Sequence, residues 1–524
     1  MEQRAAPAVR PRFGRRHFLA WSGGLAAATL LAACGGGVDT STPTPVPAAT
    51  VAPAPTAAAT IAPTVAPAGA AGATARTGTA VVGTAVVGTS SPVGATTATV
   101  PKASGNYDPP PNLKKDVTLR YQTFWAQYRT DILKQSIEQF TQKTGVKVTV
   151  ESLPSADFRT GLATTMAAGT AADTFIDDVW NMVKYYDANL ILDIGDRVKA
   201  DKIDLTKDYG LVGLEQYCGK VYLLPFVLSP HAWYYNKNML KEAGAKDPWD
   251  DLNGQWTFDD FREIALKVTQ TGGGKRWGAQ LGATVEYNWD AIIRTAGGAP
   301  TDFKASPPKY TLGSDASIAA LTMIRDWYTK DKIILPPDQS KSLVDQGITS
   351  PFASKLVGMY EDSTGQLTFL AQNVKDFEWD IAPPPRKSKD VAPVGHADGD
   401  STAISAKTKN PDEAYAFAKH LAGPTTQDIL AQNKLLLPSL KASSGSSIYL
   451  SAPPKHMAVF PGILEGSYAT SFYHGDGLEA QLAMTAFAEG LVLGSKQPSD
   501  AKALQDDLNK NVKFGGCVPS YVSK

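Results

Sequence analysis

Residues 117–150 read VTLRYQTFWAQYRTDILKQSIEQFTQKTGVKVTV. Val117, Leu119 and Tyr121 alternate with other side chains at the two-residue period of a strand. After the irregular Phe124-Trp125-Ala126-Gln127, the apolar Leu133, Ile137 and Phe140 recur at helical spacing, and Gly145 supplies a residue at which helices commonly end. Strand alternation resumes at Val146, Val148 and Val150. Strand, helix and strand in this order form a β-α-β unit and predict an α/β fold.

The next segment repeats the pattern. Phe158, Leu162 and Met166 stand four apart on a second predicted helix, and the short apolar Thr174-Phe175-Ile176 runs into Asp177-Asp178-Val179-Trp180. Polar and aromatic residues then lie at the carboxyl end of a strand, the edge where open α/β sheets collect ligands. Further on, Thr257 and Asp260 are spaced as the cap of a helix whose apolar face is Phe261, Ile264, Ala265 and Val268. Asn410-Pro411-Asp412-Glu413 starts another helix, carrying Ala414, Phe417, Ala418 and Leu421 before Gly423-Pro424.

Upstream the composition changes. Met1 to Cys34 has a basic start, an Arg15-Arg16 pair and an apolar run from Ala20 to Ala33 interrupted by Ser22-Gly23-Gly24, which fits a removable export signal better than a membrane span. Arg15-Arg16-His17-Phe18-Leu19 resembles a twin-arginine signal, with ordinary Sec export left open. Leu31-Ala32-Ala33-Cys34 resembles a lipobox, which implies lipid on Cys34 and anchorage at the extracytoplasmic face of the cell membrane. From residue 35 to about 112 the chain is mostly Ala, Thr, Pro, Val and Gly. It has too little apolar side chain to offset the entropy of ordering, so an extended, disordered tether is expected.

Nine of the ten Trp and eighteen of the nineteen Tyr lie at or after position 121, so the core must form there. Residues 113–524 suffice for two ordinary lobes. Without residues 1–33, which carry five Arg and one Glu, 46 basic side chains face 50 acidic ones, a mild negative balance that argues against a nucleic-acid partner. No later run approaches the roughly 20 apolar residues of a bilayer span. Cys218 and Cys517 remain once Cys34 is assigned to lipid, and they are either a disulfide or two buried thiols.

Catalytic and cofactor signatures are missing: there is no Gly-x-Ser-x-Gly elbow, His-Glu-x-x-His, Cys-x-x-Cys or phosphate-binding P-loop. Asp398-Gly399-Asp400 begins like a calcium loop but places Ala403 where that loop requires Gly. The five histidines beyond the signal are too scattered along the chain to suggest a metal site. The expectation is a protein that is not an enzyme and needs no metal or cofactor.

Several phrases in series resemble one family. They are Gln139-Phe140-Thr141-Gln142-Lys143-Thr144-Gly145-Val146-Lys147-Val148; Gly219-Lys220-Val221-Tyr222-Leu223-Leu224-Pro225 followed by Trp233-Tyr234-Tyr235-Asn236-Lys237 and Lys241-Glu242-Ala243-Gly244; Trp256-Thr257-Phe258; Phe352 to Met359; and Asn410-Pro411-Asp412-Glu413-Ala414. Their order and spacing over about 117 to 440 are similar to the extracellular solute-binding proteins of bacterial ABC importers, family 1, the carbohydrate type to which maltose-binding protein belongs. The resemblance implies a two-lobed periplasmic-binding-protein-like fold: α/β lobes joined by a hinge, with ligand in the cleft between them. It places lobe one at about 114–227 and 384–435, and lobe two at about 228–383 and 436–524.

A saccharide presents apolar C–H faces and a ring of hydroxyls, so its site needs aromatic planes beside carboxylates or amides. Candidates at strand ends or loops that match the family's contact regions are Trp125, Asp178, Trp180, Tyr287, Asn288, Trp289, Glu361, Asp362, Asp398 and Asp400. The resulting expectation is a monomeric, lipid-anchored receptor that hands a sugar or oligosaccharide to an ABC permease. The same residue types also suit a polyamine, peptide or organic acid, or a receptor serving a sensor. A glycoside-active enzyme is the remaining alternative, but neighbouring carboxylates do not supply the separation that glycosidase chemistry needs.

Overall fold

The computed structural model describes residues 102–517 apart from 211, 212, 214, 466, 467 and 470–474. The signal and lipid-attachment readings at residues 1–34, and the tether up to residue 101, lie outside the described residues. No helix among the described residues is long and apolar enough to cross a membrane.

Strand β1 (Thr118–Thr123), helix α1 (Gln127–Thr144) and strand β2 (Lys147–Ser152) form the expected unit. The two strands run parallel with Tyr121 opposite Val150. Helix α1 buries Leu133, Ile137 and Phe140, and Gly145, at φ 80°, closes it by donating its N–H to the Thr141 carbonyl. Helix α2 (Ser155–Ala168) buries Phe158, Leu162 and Met166 and leads to β3 (Thr174–Ile176), parallel to β1 on its other side.

The chain then enters β4 (Leu223–Asn236), in which only Ser229 is not fully buried. Helix α3 (Phe258–Thr271) carries the complete Thr257/Asp260 capping box and buries Phe261, Ile264, Ala265 and Val268. It is followed by β5 (Trp277–Gln280), α4 (Asp290–Thr295), β6 (Val357–Ser363), β7 (Trp379–Ala382) and β8 (Gly395–Ile404). Helices α5 (Pro411–Ala422), α6 (Pro424–Asn433), α7 (Gly477–Val492) and α8 (Ala501–Asn511) follow. Among the described residues the main sheet has ten strands, with the central order β2-β1-β3-β8-β4-β6-β5.

Two strands cross from one half to the other. β8 pairs antiparallel with β3 at one end, while β4 pairs with β8 from Leu223 to Pro230 and with β6 from His231 onward. The core is correspondingly divided. One cluster surrounds β1, β3, α1 and α5, with Leu119, Phe140, Phe175 and Phe417. A second gathers Trp233, Phe261, Trp289, Trp327 and Met484, and a third gathers Tyr234, Phe352, Tyr449 and Phe460. Val227 belongs to the first cluster and Leu228 to the third. The return crossing lies within β8 rather than at 384, because the Arg386 backbone bonds to both Trp256 and Phe258 and holds the preceding chain on the second lobe. Leu440 and Ala442, beyond the expected end at 435, also pack on the first core.

Two ends are tied down. Ser104 bonds to Asp208 through both its N–H and its hydroxyl, Asn106 N–H donates to the Asp201 carbonyl, and Tyr107 and Tyr209 share a hydroxyl contact of 2.8 Å. The expected boundary at 112/113 therefore moves upstream, since this short polar and aromatic stretch docks on the back of the first lobe. Cys218 and Cys517 form a disulfide, resolving the two alternatives left by the cysteine count. Neither is buried.

Candidate functional site

Asp177 and Asp178 extend from the carboxyl end of β3, at the sheet edge singled out above. Asp177 accepts from Ser401 N–H at 2.7 Å, which fixes it against β8. Asp178 accepts from Asn181 at 2.7 Å and lies 3.7 Å from the Arg159 guanidinium on α2. From the crossing strand β8, Asp398 and Asp400 point to one face by the two-residue strand period. A register shift between Asp400 and Ser401 ends that face. Gly399 between them is required: a Cβ there would stand 2.4 Å from the Val227 carbonyl of β4.

On the second lobe the aromatic wall comes from a single widened turn, Val285–Trp289, in which Trp289 N–H reaches back five residues to the Thr284 carbonyl. This π-type turn sends Tyr287 and Asn288 to the cleft and Val285 and Trp289 to the core. Gly282 leaves room for it, since a Cβ there would fall 2.1 Å from Asn288 Oδ1.

These residues meet in one cavity of about 370 Å³. The first lobe contributes Phe124, Arg129, Phe158, Arg159, Asp177, Asp178 and Val179; the second contributes Thr284, Tyr287, Asn288, Asp362 and Ser363. Ser229, His231, Asp398, Gly399 and Asp400 of the crossing strands form its floor, with Leu436 at the side. The volume lies within the range of small-molecule sites. Five carboxyl groups face two guanidiniums, and burial acts on nearly all of them. Asp400 is pushed up to about 6 by burial, partly offset by the Trp125 hydrogen bond and by Arg129 and Arg159. Asp398 is pushed up to about 7 by burial, with His231 opposing and Asp400 adding to the rise. Burial likewise raises Asp178, and raises Asp177 well above the usual carboxylate range with the help of Asp400. Burial pulls His231 down, but the Glu361 carboxylate outweighs it and the imidazole is held up to about 9.

Of the expected site residues, Asp178, Tyr287, Asn288, Asp362, Asp398 and Asp400 line this cavity. Four do not. Trp125 is 1 % exposed, stacks on Phe226 at 5.0 Å and donates its indole N–H to Asp400 at 3.0 Å, so it supports the floor from behind. Trp180 is 2 % exposed and meets Tyr287 edge-on at 5.6 Å, backing the aromatic wall. Trp289 is fully buried in the second-lobe core. Glu361 is buried behind the wall, hydrogen-bonded to His231 and Asn288. Each is a large or charged side chain whose neighbour in sequence faces the cleft, and a one-residue step along strand or turn reverses the direction.

Phe124, Arg129, Phe158, Arg159, Ser229, His231, Thr284, Ser363 and Leu436 also line the cavity without having been expected there, as do Asp177, Val179 and Gly399, which the sequence singles out without placing them in the site. Phe158 and Arg159 sit in the first turn of α2, at the same sheet edge as Asp177, and that position was the available signal. Ser229 and His231 lie in a strand whose apolar run hides which side faces the cleft.

A family model described as bacterial extracellular solute-binding protein matches residues 126–428. No curated protein sequence matches significantly. Among solved structures, the chain is similar to an ABC substrate-binding protein of Listeria monocytogenes in complex with cycloalternan, at 21% identity and a TM-score of 0.68 over 76% of this chain and 100% of that one. It is similar to the GacH receptor of Streptomyces glaucescens, solved unliganded and with acarbose, at 18% identity and TM-score 0.64 over 76% and 100%. It is also similar to UgpB of Mycobacterium tuberculosis in complex with glycerophosphocholine, at 19% identity and TM-score 0.64 over 76% and 99%. At these identities the likeness establishes the fold.

Proposed function

Because this chain belongs to the bacterial extracellular solute-binding proteins, we propose that it captures a sugar or oligosaccharide between its lobes and delivers it to an ABC permease. The observation that carries this reading is the cavity itself. Tyr287, Phe124 and Phe158 offer rings to C–H faces, while Asp178, Asn288, Asp362, Asp398 and Asp400 offer hydrogen-bond partners to hydroxyls. The carboxyls on β8 titrate close to neutrality, so each accepts from a hydroxyl when ionised and donates to one when protonated. Walls supplied by different lobes make contact with solute depend on closure, and solute then shifts the population toward the closed form. The similar receptors solved with cycloalternan and with acarbose support the carbohydrate class.

The excess of carboxylates over guanidiniums favours a second reading, a cationic solute such as a polyamine. A screen of purified protein by thermal shift and tryptophan fluorescence against sugars, oligosaccharides, polyamines and short peptides separates the two. At a hundredfold excess over Kd, a ligand stabilises by about 2.7 kcal/mol. A response to one glycan class that is lost in Tyr287→Ala and Asp362→Asn supports the sugar receptor. Silence across the sugars with a response to spermidine transfers the function to the second reading.

Lipid on Cys34 and twin-arginine export complete the proposal, with the Ala/Thr/Pro-rich tether spacing the lobes from the membrane. Cys34→Ala should release the protein into the medium. Undiminished export of an Arg15→Lys/Arg16→Lys variant removes the twin-arginine route.

A further inference from the structure

At the floor of the cavity and the recess beside it, the crossing strands bring together three groups from two distant parts of the chain. His231 of β4 and His396 and Asp398 of β8 each offer one ligating atom, and these atoms lie within 4.8 Å of one another. His396 and Asp398 share a face of β8 because they are two residues apart, and β4 is its hydrogen-bonded neighbour. Four observations distinguish this from a chance cluster. His396 is 3 % exposed, and neither of its ring nitrogens has a hydrogen-bond partner among the described residues. Asp398 Oδ1 is likewise buried and unpartnered. Leaving a buried polar atom without a partner is costly, so a partner of some kind is expected at this point. His231 Nδ1 lies 2.9 Å from Glu361 Oε1, which orients its ring and leaves Nε2 as the nitrogen at which a metal ion displaces the proton, the carboxylate–histidine arrangement found behind metal-binding imidazoles. Finally, His231, His396, Glu361 and Asn288 help enclose a recess of about 20 Å³ beside the main cavity, room for one ion or one water.

We propose that His231, His396 and Asp398 bind a divalent transition-metal ion of the zinc class in the floor of the solute cavity, with Glu361 positioning His231. Two imidazoles and a carboxylate match the donor set of zinc sites that keep a position open, and they are softer than the oxygen-only set preferred by calcium or magnesium. Zinc-to-ligand distances of about 2.0–2.2 Å need the three donors to draw in to about 3.5 Å from one another, a matter of side-chain rotation. His231 and Asp398 also line the main cavity, so the open position faces the solute. A solute oxygen then completes the coordination. The scattered histidines that argued against a metal in the sequence are assembled by the two crossing strands. The inference goes beyond the carbohydrate reading and stands without it.

The experiment uses the chain expressed without a polyhistidine tag and stripped with EDTA. Zn2+ is titrated by calorimetry in the absence of any solute, and Co2+ uptake is followed by its visible absorption. One equivalent of Zn2+, a raised Tm and the band of a low-symmetry Co2+ site are expected. His396→Gln should abolish the spectrum and Glu361→Gln should weaken binding by about 10- to 100-fold. Folding of the variants is checked by circular dichroism in EDTA. If His396→Gln does not fold, the wild-type Co2+ spectrum and Glu361→Gln decide. Substoichiometric uptake by the wild type, or wild-type binding in a folded His396→Gln, overturns the site and leaves the recess to water. Solutes are screened both in EDTA and with Zn2+ added: a response in either arm keeps the carbohydrate proposal, and the solute-free Zn2+ titration alone decides the metal, so the two proposals read out independently.

Discussion

Asp177 shows what a single side chain costs this molecule. It is 1 % exposed, and burial together with the charges of Asp400, Glu215 and Asp178 raises its pKa well above the usual range. A carboxyl raised in this way favours the fold below its ordinary pKa near 4. That contribution is lost as pH rises above the ordinary carboxylate range toward and through the folded value, because the unfolded chain gains by ionising the group and the fold does not. Asp177→Asn keeps the acceptor for Ser401 N–H and removes the charge. The variant should be more stable than the wild type at pH 8, with the gap closing toward pH 4, as read from urea unfolding at the two pH values. A variant that is less stable at pH 8 would mean that the buried charge is already compensated. The same residues show what a one-dimensional reading can see. Asp178 and Asp362 stand out as charges at strand ends, and both line the cavity. Trp125, Trp180 and Trp289 stand out equally as aromatics, but residue type does not tell which way a ring points, and all three serve as packing behind the walls.

Segments differ in how openly they declare themselves, for a physical reason. The unit over residues 117–150 has apolar side chains at the correct period because its only task is to pack, and its strands and helix match the expectation. Strand β8 is different: His396, Asp398, Gly399 and Asp400 are residues that strands usually avoid, and the stretch reads as a loop or the start of a calcium site. Its strand conformation comes from pairing on both sides, with β3 and β4, and not from local preference. At Gly399 the two crossing strands leave no room for a side chain. Gly399→Ala places a methyl 2.4 Å from the Val227 carbonyl, a backbone atom that cannot turn aside. Overpacking of this kind costs about 1–3 kcal/mol. We expect a lowered urea midpoint with an unchanged m-value, together with weaker solute binding as Asp398 and Asp400 are displaced. Wild-type stability and affinity in this variant would show that the strands have slack at the crossing.

The two halves are also joined at the chain's far end. Helix α8 packs in the second-lobe core through Ala501 and Leu508, yet six residues after the helix ends at Asn511, Cys517 is bonded to Cys218 at the edge of the first. The tail between them is held by Cys517 N–H donating to the Tyr217 hydroxyl, which in turn donates to Asp187. Nearby, Lys184 pairs with Glu479 of α7 at 2.9 Å. That ion pair is about half exposed at its acidic end and contributes little on its own, so the covalent bond dominates this junction. Cross-linking residues 299 apart removes much of the unfolded chain's freedom and is worth up to about 5–6 kcal/mol by chain-entropy reasoning. In Cys218→Ser/Cys517→Ser the fold should therefore persist with a lowered Tm. The released tail should become sensitive to trypsin at Lys510 and Lys513, while the oxidised wild type resists, with the sites located by mass spectrometry. Added reductant should reproduce both effects in the wild type and leave the variant unchanged. Equal resistance of the double variant would assign the tail's attachment to Tyr217 and the lobe surfaces, and the disulfide would then constrain only the unfolded chain.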